Sequence, residues 1–301
     1  MIVMKNICKK FGDKKVLDDI SFHIAPGESV GIIGLNGAGK TTMLNVISGV
    51  LKPDSGFIRV NGAKQLIIKH EALKETSYIS GTKSQLWDDL SIKSSYENAL
   101  KMYGIKESEY RLIYDELDDI LEVKTLLNST PKSLSLGERM RCELMYALIT
   151  KPKLLMLDEA LIGLDVSIKH RVVEYFETNR KKYTLIYTSH NLTEVERICE
   201  RIFLLDKGRI IYDGNIKSMI KEFSPMHRLE LEIEGTLPDF EDIPISKYKI
   251  EDNNLTIEYD KQIIDTAHIL KHIMKKNKIN DVRLFEPDLE DTIKKIYERK
   301  F

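Results

Sequence analysis

The chain has 301 residues, and its 46 lysines and arginines nearly balance its 47 aspartates and glutamates. Without a basic excess, nucleic acid is not expected as a partner, and three cysteines with no C-x-x-C pair argue against a disulfide framework or a zinc site. No run approaches 18 apolar residues, and the first ten residues meet a charge too early for a secretory signal, so the chain is not expected to cross a membrane by itself.

The N-terminal sixty residues predict strands around one helix. Residues 1–25 alternate as short strands about a turn at Gly12. The apolar run 29–33 predicts a buried strand, and residues 41–50 have the apolar spacing of a helix. Residues 56–60 predict another strand, which the turn dipeptide Asn61-Gly62 closes.

Between the buried strand and the helix, residues 34–42 read G-L-N-G-A-G-K-T-T, the pattern of a phosphate-binding loop. Its glycines Gly34, Gly37 and Gly39 let backbone N–H groups turn toward phosphate oxygens, and the helix N-terminus adds a favourable dipole. Lys40 can reach the β- and γ-phosphates, and the Thr41 hydroxyl can bind Mg²⁺.

From about residue 90 to 147 the pattern is helical. One predicted helix covers 110–127, with an apolar side made of Leu112, Ile113, Leu117, Ile120 and Leu121. Strands are then predicted at 153–157 and 184–188 with a helix at 167–179 between them, which implies a parallel sheet with right-handed crossovers. A hairpin of strands at 201–205 and 209–212 follows.

Two carboxylates follow the strand at 153–157. Asp158 can hold Mg²⁺, directly or through water, and Glu159 can accept a proton from an attacking water. Two acids at a strand end can also be a solvated loop. The phosphate-binding loop at this separation favours the catalytic interpretation.

Composition changes near Phe223, and a small α+β domain of about eighty residues is predicted beyond it. It comprises a strand at 228–233, a hairpin of 248–251 with 255–259, and a strand at 282–285. It also contains a helix with Ile263, Ala267, Leu270 and Met274 on one face and a last helix at about 289–299. His268 and His272 lie four apart on the first helix, but no third ligand is evident, and the lysines at 271–278 are interpreted as a solvated helix end.

Together these elements resemble the ATP-binding cassette (ABC) family. The matching motifs are Walker A at 34–42, the signature at 134–138, Walker B at 154–158 followed by Glu159, the D-loop at 163–165 and the switch histidine His190. The resemblance implies an α/β P-loop NTPase with a RecA-like core, an antiparallel β-subdomain and a helical subdomain at about 85–147. It assigns residues 1–223 to a nucleotide-binding domain and leaves 224–301 as a C-terminal α+β accessory domain.

The resemblance also implies roles for single residues, with ATP and Mg²⁺ as cofactors. Glu159 corresponds to the catalytic base and His190 to the γ-phosphate sensor. The implied nucleotide contacts are Phe11, Gly34, Asn36, Gly37, Ala38, Gly39, Lys40, Thr41, Thr42, Gln85, Ser135, Gly137, Asp158 and Asp165. Among these, Phe11 stacks on adenine, Ser135 and Gly137 reach the ATP of the opposite subunit, and Asp165 links the two sites. The implied metal ligands are Thr41, Gln85 and Asp158.

Two departures from the family pattern affect these assignments. The signature reads L-S-L-G-E, in which Leu136 replaces a glycine and Glu138 a glutamine. In the Q-loop, the usual glutamine position falls on Thr82, and Gln85 lies three residues later. Either Gln85 substitutes as the ligand of Mg²⁺ and water, or that contact is weakened.

The stretches 84–90 and 134–144 look like those of bacterial exporter ATPases whose permeases are separate chains, similar to drug, peptide and polysaccharide exporters. This resemblance implies an integral-membrane permease as partner, a homodimer or a heterodimer with a similar ATPase, and a location at the cytoplasmic face of the membrane. Trp87 lies either beside the groove that receives the permease or in the core of the helical subdomain. Two alternatives stay open: a soluble ABC ATPase acting on ribosomes or DNA, and a regulatory ATP-binding subunit with little hydrolysis.

Overall fold

An antiparallel hairpin begins the chain, with strand β1 (Ile2–Phe11) turning at Gly12 into strand β2 (Lys14–Ile24). The computed structural model describes residues 1–64, 75–81, 84–223, 226–236, 238–240, 243–287 and 289–298. The hairpin places alternate apolar side chains such as Ile2, Met4 and Leu17 on one buried face. The strands predicted around Gly12 are thereby confirmed.

Eight further strands complete two sheets in the first part of the chain. They are β3 (Ser29–Gly34), β4 (Ser55–Val60), β5 (Ala63–Lys64), β6 (Thr76–Ser80), β7 (Leu154–Asp158), β8 (Thr184–Thr188), β9 (Arg201–Asp206) and β10 (Arg209–Asn215). The antiparallel sheet has the order β2-β1-β4-β5, and the other sheet has the order β10-β9-β3-β8-β7-β6. In the second sheet β3, β6, β7, β8 and β9 run parallel, as the strand–helix–strand pattern predicts.

The helices of this region pack against the sheets or against one another. Their bounds are α1 (Lys40–Ile47), α2 (Ile92–Tyr103), α3 (Glu107–Leu121), α4 (Leu136–Ile149), α5 (Val166–Thr178) and α6 (Leu192–Ile198). Short 3₁₀ turns lie at Lys124–Leu126, Pro131–Ser133 and Arg180–Lys182. Both sheets and α1 share one apolar core, in which Ile2, Leu17, Ile32, Leu44 and Met156 are fully buried.

Three details of this region differ from the sequence pattern. The pattern did not predict β6, which pairs in parallel with β7. The helix predicted at 110–127 ends at Leu121, because Glu122 has a positive φ of 52° and Asp118 accepts hydrogen bonds from the next two amides. Leu112, which was predicted on the apolar side of this helix, is exposed.

The C-terminal part of the chain has its own sheet and core. Its strands are β11 (Met226–Gly235), β12 (Lys247–Glu251), β13 (Asn254–Asp260) and β14 (Asn277–Phe285), in the order β12-β13-β11-β14. Its helices are α7 (Ile216–Phe223), α8 (Thr266–Ile273) and α9 (Leu289–Glu298). All the described strand pairs are antiparallel, and the predicted end of the last helix at residue 299 lies outside the described residues.

The buried face of α8 is only partly the one that the sequence pattern predicted. Ile263 and Met274 lie outside the helix and are exposed, whereas Ile269 and Ile273 enter the core beside Leu229 and Ile257. The prediction is confirmed for Leu270, which is partly buried against the core, and was wrong for Ile263, Ala267 and Met274, because the apolar residues of this stretch fit two helical phases. Packing against the sheet selects the other one.

The described chain separates into two compact units, Met1–Gly214 and Asn215–Phe301. The division therefore precedes helix α7, whereas the composition of the sequence changes near Phe223. None of the helices in the described residues combines the length and the apolar character needed to span a bilayer.

The burial of Leu229 on β11 predicts how much this leucine stabilises the second unit. Leu229 is fully buried and lies opposite Leu284, which is 42% exposed at the sheet edge. Leu229→Ala should lower the local unfolding free energy of β13 by about 2–5 kcal/mol. Leu284→Ala, the same change on the paired residue, should lower it by about 1 kcal/mol or less.

Hydrogen–deuterium exchange of the full chain measures both effects, because protection of core amides reports the opening free energy of the unit. Equal loss of protection in the two variants would contradict the core described here.

Candidate functional site

The loop between β3 and α1 adopts backbone conformations that favour glycine. Gly37 and Gly39 have φ values of 82° and 109°, in the region that side chains disfavour. A Cβ atom on Gly39 would lie 2.8 Å from the carbonyl oxygen of Val16. Lys40 then starts α1, so the loop delivers a helix N-terminus directly behind its own N–H groups.

Lys40 is buried, and its ammonium group is held by the loop itself. Its Nζ donates to the carbonyl oxygen of Gly34 at 2.8 Å and to that of Leu35 at 3.5 Å. Burial lowers the pKa of Lys40, and the carboxylates of Glu159 and Asp158 act in the opposite direction. The cation is thus desolvated and near two acids, as a phosphate-binding lysine needs to be.

Asp158 ends β7 and is buried with both carboxylate oxygens engaged. In the parallel register it lies opposite Thr188, whose Oγ1 donates to Asp158 Oδ1 at 2.6 Å. The Tyr78 hydroxyl on β6 donates to Oδ2 at 3.3 Å. Burial and the Asp158 charge raise the pKa of Tyr78, which therefore stays a neutral donor. These contacts fix the orientation of a carboxylate that could bind a cation.

Glu159 turns away from β7 in a left-handed conformation, with φ of 56°. Its N–H lies 3.1 Å from both the carbonyl oxygen and Oγ1 of Thr188. Its side chain meets His190, with Glu159 Oε1 and His190 Nε2 2.8 Å apart. Both side chains remain partly exposed, at 33% and 53%. An acid and an imidazole that orient each other at an open edge can accept a proton from water there.

The donor chemistry of this edge fits Mg²⁺. Mg²⁺ in phosphate sites takes one or two protein oxygen ligands together with phosphate oxygens and water. Thr41, exposed on the first turn of α1, and the oriented carboxylate of Asp158 are ligands of that type. Among the described residues there is no group of three or more His, Cys, Asp or Glu side chains that could hold a metal by itself, so phosphate oxygens would have to complete the shell.

Gln85, the other expected ligand, is half-buried and anchored through two contacts. Its side-chain Nε2 donates to the carbonyl oxygen of Tyr78, which leaves its amide oxygen for a ligand. Its backbone N–H lies 3.1 Å from Glu143 Oε2 on helix α4, and Ser84 Oγ donates to the same carboxylate. Burial raises the pKa of Glu143. Thr82, the alternative Q-loop position, lies outside the described residues.

A second cluster brings the signature segment to the D-loop of the same chain. Ser135 caps α4 in a reciprocal capping box with Glu138, whose pKa is lowered by hydrogen bonds from Ser135. A Cβ on Gly137 would lie 2.4 Å from the carbonyl oxygen of Gly163, and one on Gly163 would lie 2.9 Å from Leu136 Cδ2. The leucine that replaces a signature glycine thus covers Gly163.

The two remaining site residues lie at element ends. Asp165 caps α5 by accepting from the N–H groups of Ser167 and Ile168, both at 3.1 Å, and these bonds lower the pKa of Asp165. Phe11 is exposed at the end of β1, with the Lys9 ammonium 5.7 Å from its ring centroid. An exposed ring is available for stacking on a planar ligand.

The structure adds residues whose roles the sequence did not reveal. Thr188 connects Asp158 to Glu159, Tyr78 supports Asp158, and Glu143 anchors Gln85. One signal in the sequence could have found Thr188. Two strands predicted to run parallel end at Asp158-Glu159 and at Thr188-Ser189-His190, and parallel strands bring such ends together. Tyr78 lies on the strand that the sequence pattern did not predict.

The sequence and the fold also match known proteins. The sequence profile of the family described as ABC transporter matches residues 17–162. An uncharacterized ABC transporter ATP-binding protein of Methanocaldococcus jannaschii is 31% identical, covering 83% of this chain and 92% of that protein. The methionine import ATP-binding protein MetN of Clostridium acetobutylicum is 32% identical, and the match covers 73% of this chain and 70% of that protein. The Nod factor export ATP-binding protein I of Rhizobium etli is 30% identical, and the match covers 76% of this chain and 73% of that protein.

Among solved structures, the ATP-binding subunit of an ABC transporter aligns with a TM-score of 0.69 at 27% identity. The alignment covers 74% of this chain and 93% of that subunit. The α/β P-loop NTPase fold expected from the sequence is therefore confirmed.

Thr188 offers a test of how Asp158 is oriented. Thr188→Val keeps the volume but removes the hydroxyl that holds Asp158, so Mg²⁺-dependent ATP binding should weaken by about tenfold or more. Thr188→Ser, the control, keeps the hydroxyl and should bind close to the parent chain. Calorimetric titration with ATP, with and without Mg²⁺, measures this. Equal affinities in the two variants would show that the hydroxyl does not orient Asp158.

Proposed function

The chain belongs to the ATP-binding subunits of ABC transporters, and from this membership we propose that it powers an exporter whose permease is a separate chain. It is an ABC ATPase. In the proposed cycle two cassettes close head to tail on two ATP molecules, the closure moves the permease, and hydrolysis resets the dimer. We assign this work to residues 1–223 and treat 224–301 as an accessory domain.

The observation that carries the proposal is the contact between Glu159 and His190 beside Asp158. Glu159 is proposed as the base that takes a proton from the attacking water, and His190 as the residue that orients it and senses the γ-phosphate. Thr41, Asp158 and the amide oxygen of Gln85 would hold Mg²⁺, which neutralises phosphate charge when bound.

ATP itself is proposed to contact the phosphate-binding loop and the adenine-stacking ring. The contacts are Phe11, Gly34, Asn36, Gly37, Ala38, Gly39, Lys40, Thr41 and Thr42. The desolvated ammonium of Lys40 supports this, because a phosphate oxygen could replace the loop carbonyls as its partner. The N–H groups at the start of α1 would add to the attraction.

Ser135, Gly137 and Asp165 are proposed to act on the ATP of the opposite cassette. The surface around them supports a covered interface, because apolar side chains surround the D-loop. Leu136 and Ile162 are about half exposed and Val166 is 86% exposed. Whether the second cassette is another copy or a similar ATPase does not alter these roles.

The direction of transport rests on the exporter-like stretches of the sequence. The relatives include proteins named for export and for import, so the direction needs its own measurement. The proposed partner is an integral-membrane permease, which would hold the chain at the cytoplasmic face of the membrane. A drug, peptide or polysaccharide is the expected class of cargo.

A weakly hydrolysing regulatory subunit is the second candidate. One observation favours it: the side-chain nitrogen of Gln85 is committed to the Tyr78 carbonyl, which restrains the residue expected at Mg²⁺. The turnover of the unmodified chain separates the two candidates, because a regulatory subunit would bind ATP with negligible hydrolysis.

Glu159→Gln tests the proposed base. The variant keeps the size of the side chain but cannot accept the proton, so ATP should still bind while turnover falls by about 10²–10⁴-fold. Glu196→Gln, which neutralises an exposed carboxylate on α6, is the matched control and should hydrolyse ATP normally. ATP affinity and phosphate release are measured for both. Normal phosphate release from Glu159→Gln would remove Glu159 from the proposed role.

A tagged chain purified from solubilised membranes tests the proposed partner. A polytopic permease should copurify, and reconstitution of that complex in vesicles should move cargo away from the ATP-bearing side. Recovery only with ribosomes, DNA or alone would contradict the transporter role, and movement toward the ATP-bearing side would contradict export alone.

A further inference from the structure

Among the strands of the described residues, β14 is an edge strand of the C-terminal sheet, and it exposes apolar side chains there. Val282 and Leu284 lie opposite Leu231 and Leu229 of β11, which are buried. Opposite residues of an antiparallel pair share one face of the sheet, so the apolar face of the core continues onto β14. On β14, however, Val282 is 45% exposed and Leu284 42% exposed. An edge of this kind is a template for another strand.

The backbone of this edge also has a donor that faces outward. The N–H of Val282 donates to Oδ1 of the neighbouring Asp281 at 2.9 Å, which indicates that it points away from β11. Asp281 Oδ2 in turn lies 3.2 Å from Arg283 Nε on the same strand. All three residues are exposed, so a second strand could reach this backbone.

The charge pattern of β14 matches itself in one antiparallel register. If two copies of the strand pair about Val282, each Asp281 lies opposite Arg283 of the second copy, and Val282 lies opposite Val282. Opposite charges in such cross-strand positions stabilise a pair, and like charges destabilise it. Moving the centre by one residue would set Asp281 against itself or Arg283 against itself.

The other sheet edge, strand β12, reads K-Y-K-I-E and has one register of the same kind, about Ile250, which sets Lys249 opposite Glu251. Pairing about its centre would instead set Lys249 directly opposite Lys249. Tyr248 on this edge is as exposed as the apolar residues of β14, at 53%. Neither the exposure of one side chain nor charge complementarity alone therefore distinguishes the two edges. The central residues of the two registers do differ, because Ile250 is partly buried against the core, whereas Val282 is 45% exposed and has an outward N–H.

We propose that two copies of the chain join their C-terminal sheets through β14, antiparallel about Val282. The contact uses the same residues on both copies, and such a two-fold contact closes after one pair. It buries the exposed faces of Val282 and Leu284 and gives the outward N–H of Val282 a backbone partner. Asp281 then exchanges that N–H for the guanidinium of Arg283 on the second copy.

The pairing is short, and this limits its strength. A register shift at Asn280 interrupts the regular strand on one side of the Asp281–Arg283 segment. Exposed charge pairs also contribute little individually. The inference therefore rests on the proposed cassette dimer, which supplies the high local concentration at which a weak second contact forms. It also favours two identical chains over a pair of different ATPases.

Thiol crosslinking of the full chain tests the contact. Native Cys142 and Cys199 are buried, so Cys8→Ser gives a background without an accessible thiol. In the Glu159→Gln chain with ATP, Val282→Cys should be crosslinked between copies by a short bis-maleimide about tenfold faster than Tyr248→Cys. The tyrosine variant is the matched control, since it places an equally exposed thiol on the other edge.

Charge reversal identifies the register. Asp281→Arg sets like charges opposite each other at both ends of the pairing and should return the Val282→Cys crosslinking rate to that of the control. Adding Arg283→Asp to the same chain exchanges the two charges and should restore the fast rate. A merely exposed, flexible edge would react at the same rate in all three chains, and that result would overturn the proposal.

Size-exclusion chromatography of the same samples separates this inference from the proposed function. ATP-dependent association without fast crosslinking at Val282 overturns the β14 contact and leaves the cassette dimer intact. Fast crosslinking without ATP-dependent association supports β14 and contradicts cassette closure. The absence of both overturns both.

Discussion

The parallel register of β7 and β8 is the constraint on which the candidate site depends. It places Asp158 opposite Thr188, and that one threonine donates to Asp158 and accepts from the Glu159 amide. Because Thr188 ends its strand, His190 follows two residues later and reaches Glu159. A slip of one residue would turn the Thr188 side chain to the other face of the sheet and separate all three functional groups. The apolar runs that bury these strands therefore also set the chemistry at their ends.

Close backbone packing is the second constraint, and it acts at two separate places. At Gly39 the phosphate-binding loop passes so near the Val16 carbonyl that a side chain would collide with it. At Gly137 and Gly163 the signature segment and the D-loop meet backbone to backbone, and Leu136 closes over Gly163. Gly163 lies four residues after Glu159, so the signature segment packs against the chain shortly after the proposed base. The Leu136 departure from the family pattern can therefore be read as a tighter contact within the subunit.

The sequence predicted those parts in which local pattern and chemistry coincide. Glycine spacing, apolar strands and terminal carboxylates predicted the loop between β3 and α1 and the strands β7 and β8, and comparison confirmed the fold. It did not reveal β6, whose alternation of half-buried serine, threonine and tyrosine has little apolar signal, and so it missed Tyr78 beside Asp158. In α8 only Leu270 of the predicted face packs against the core, because the apolar residues fit two helical phases and only packing on the sheet decides between them. The roles of Thr188 and Glu143 depend on contacts between distant segments, which no local pattern contains.

Some features of β14 favour pairing with a second copy of the chain, and others weaken that pairing. A long, flat apolar edge would pair strongly but would also aggregate, and proteins limit such edges with charges and bulges. Here Asp281 covers the Val282 N–H in the single chain, and the register shift at Asn280 shortens the strand. Both features weaken pairing, but the Asp281–Arg283 alternation still favours one partner, a second copy in one register. In the proposed cycle such a weak contact would form when the cassettes bring two chains together, and it would not oppose their separation after hydrolysis.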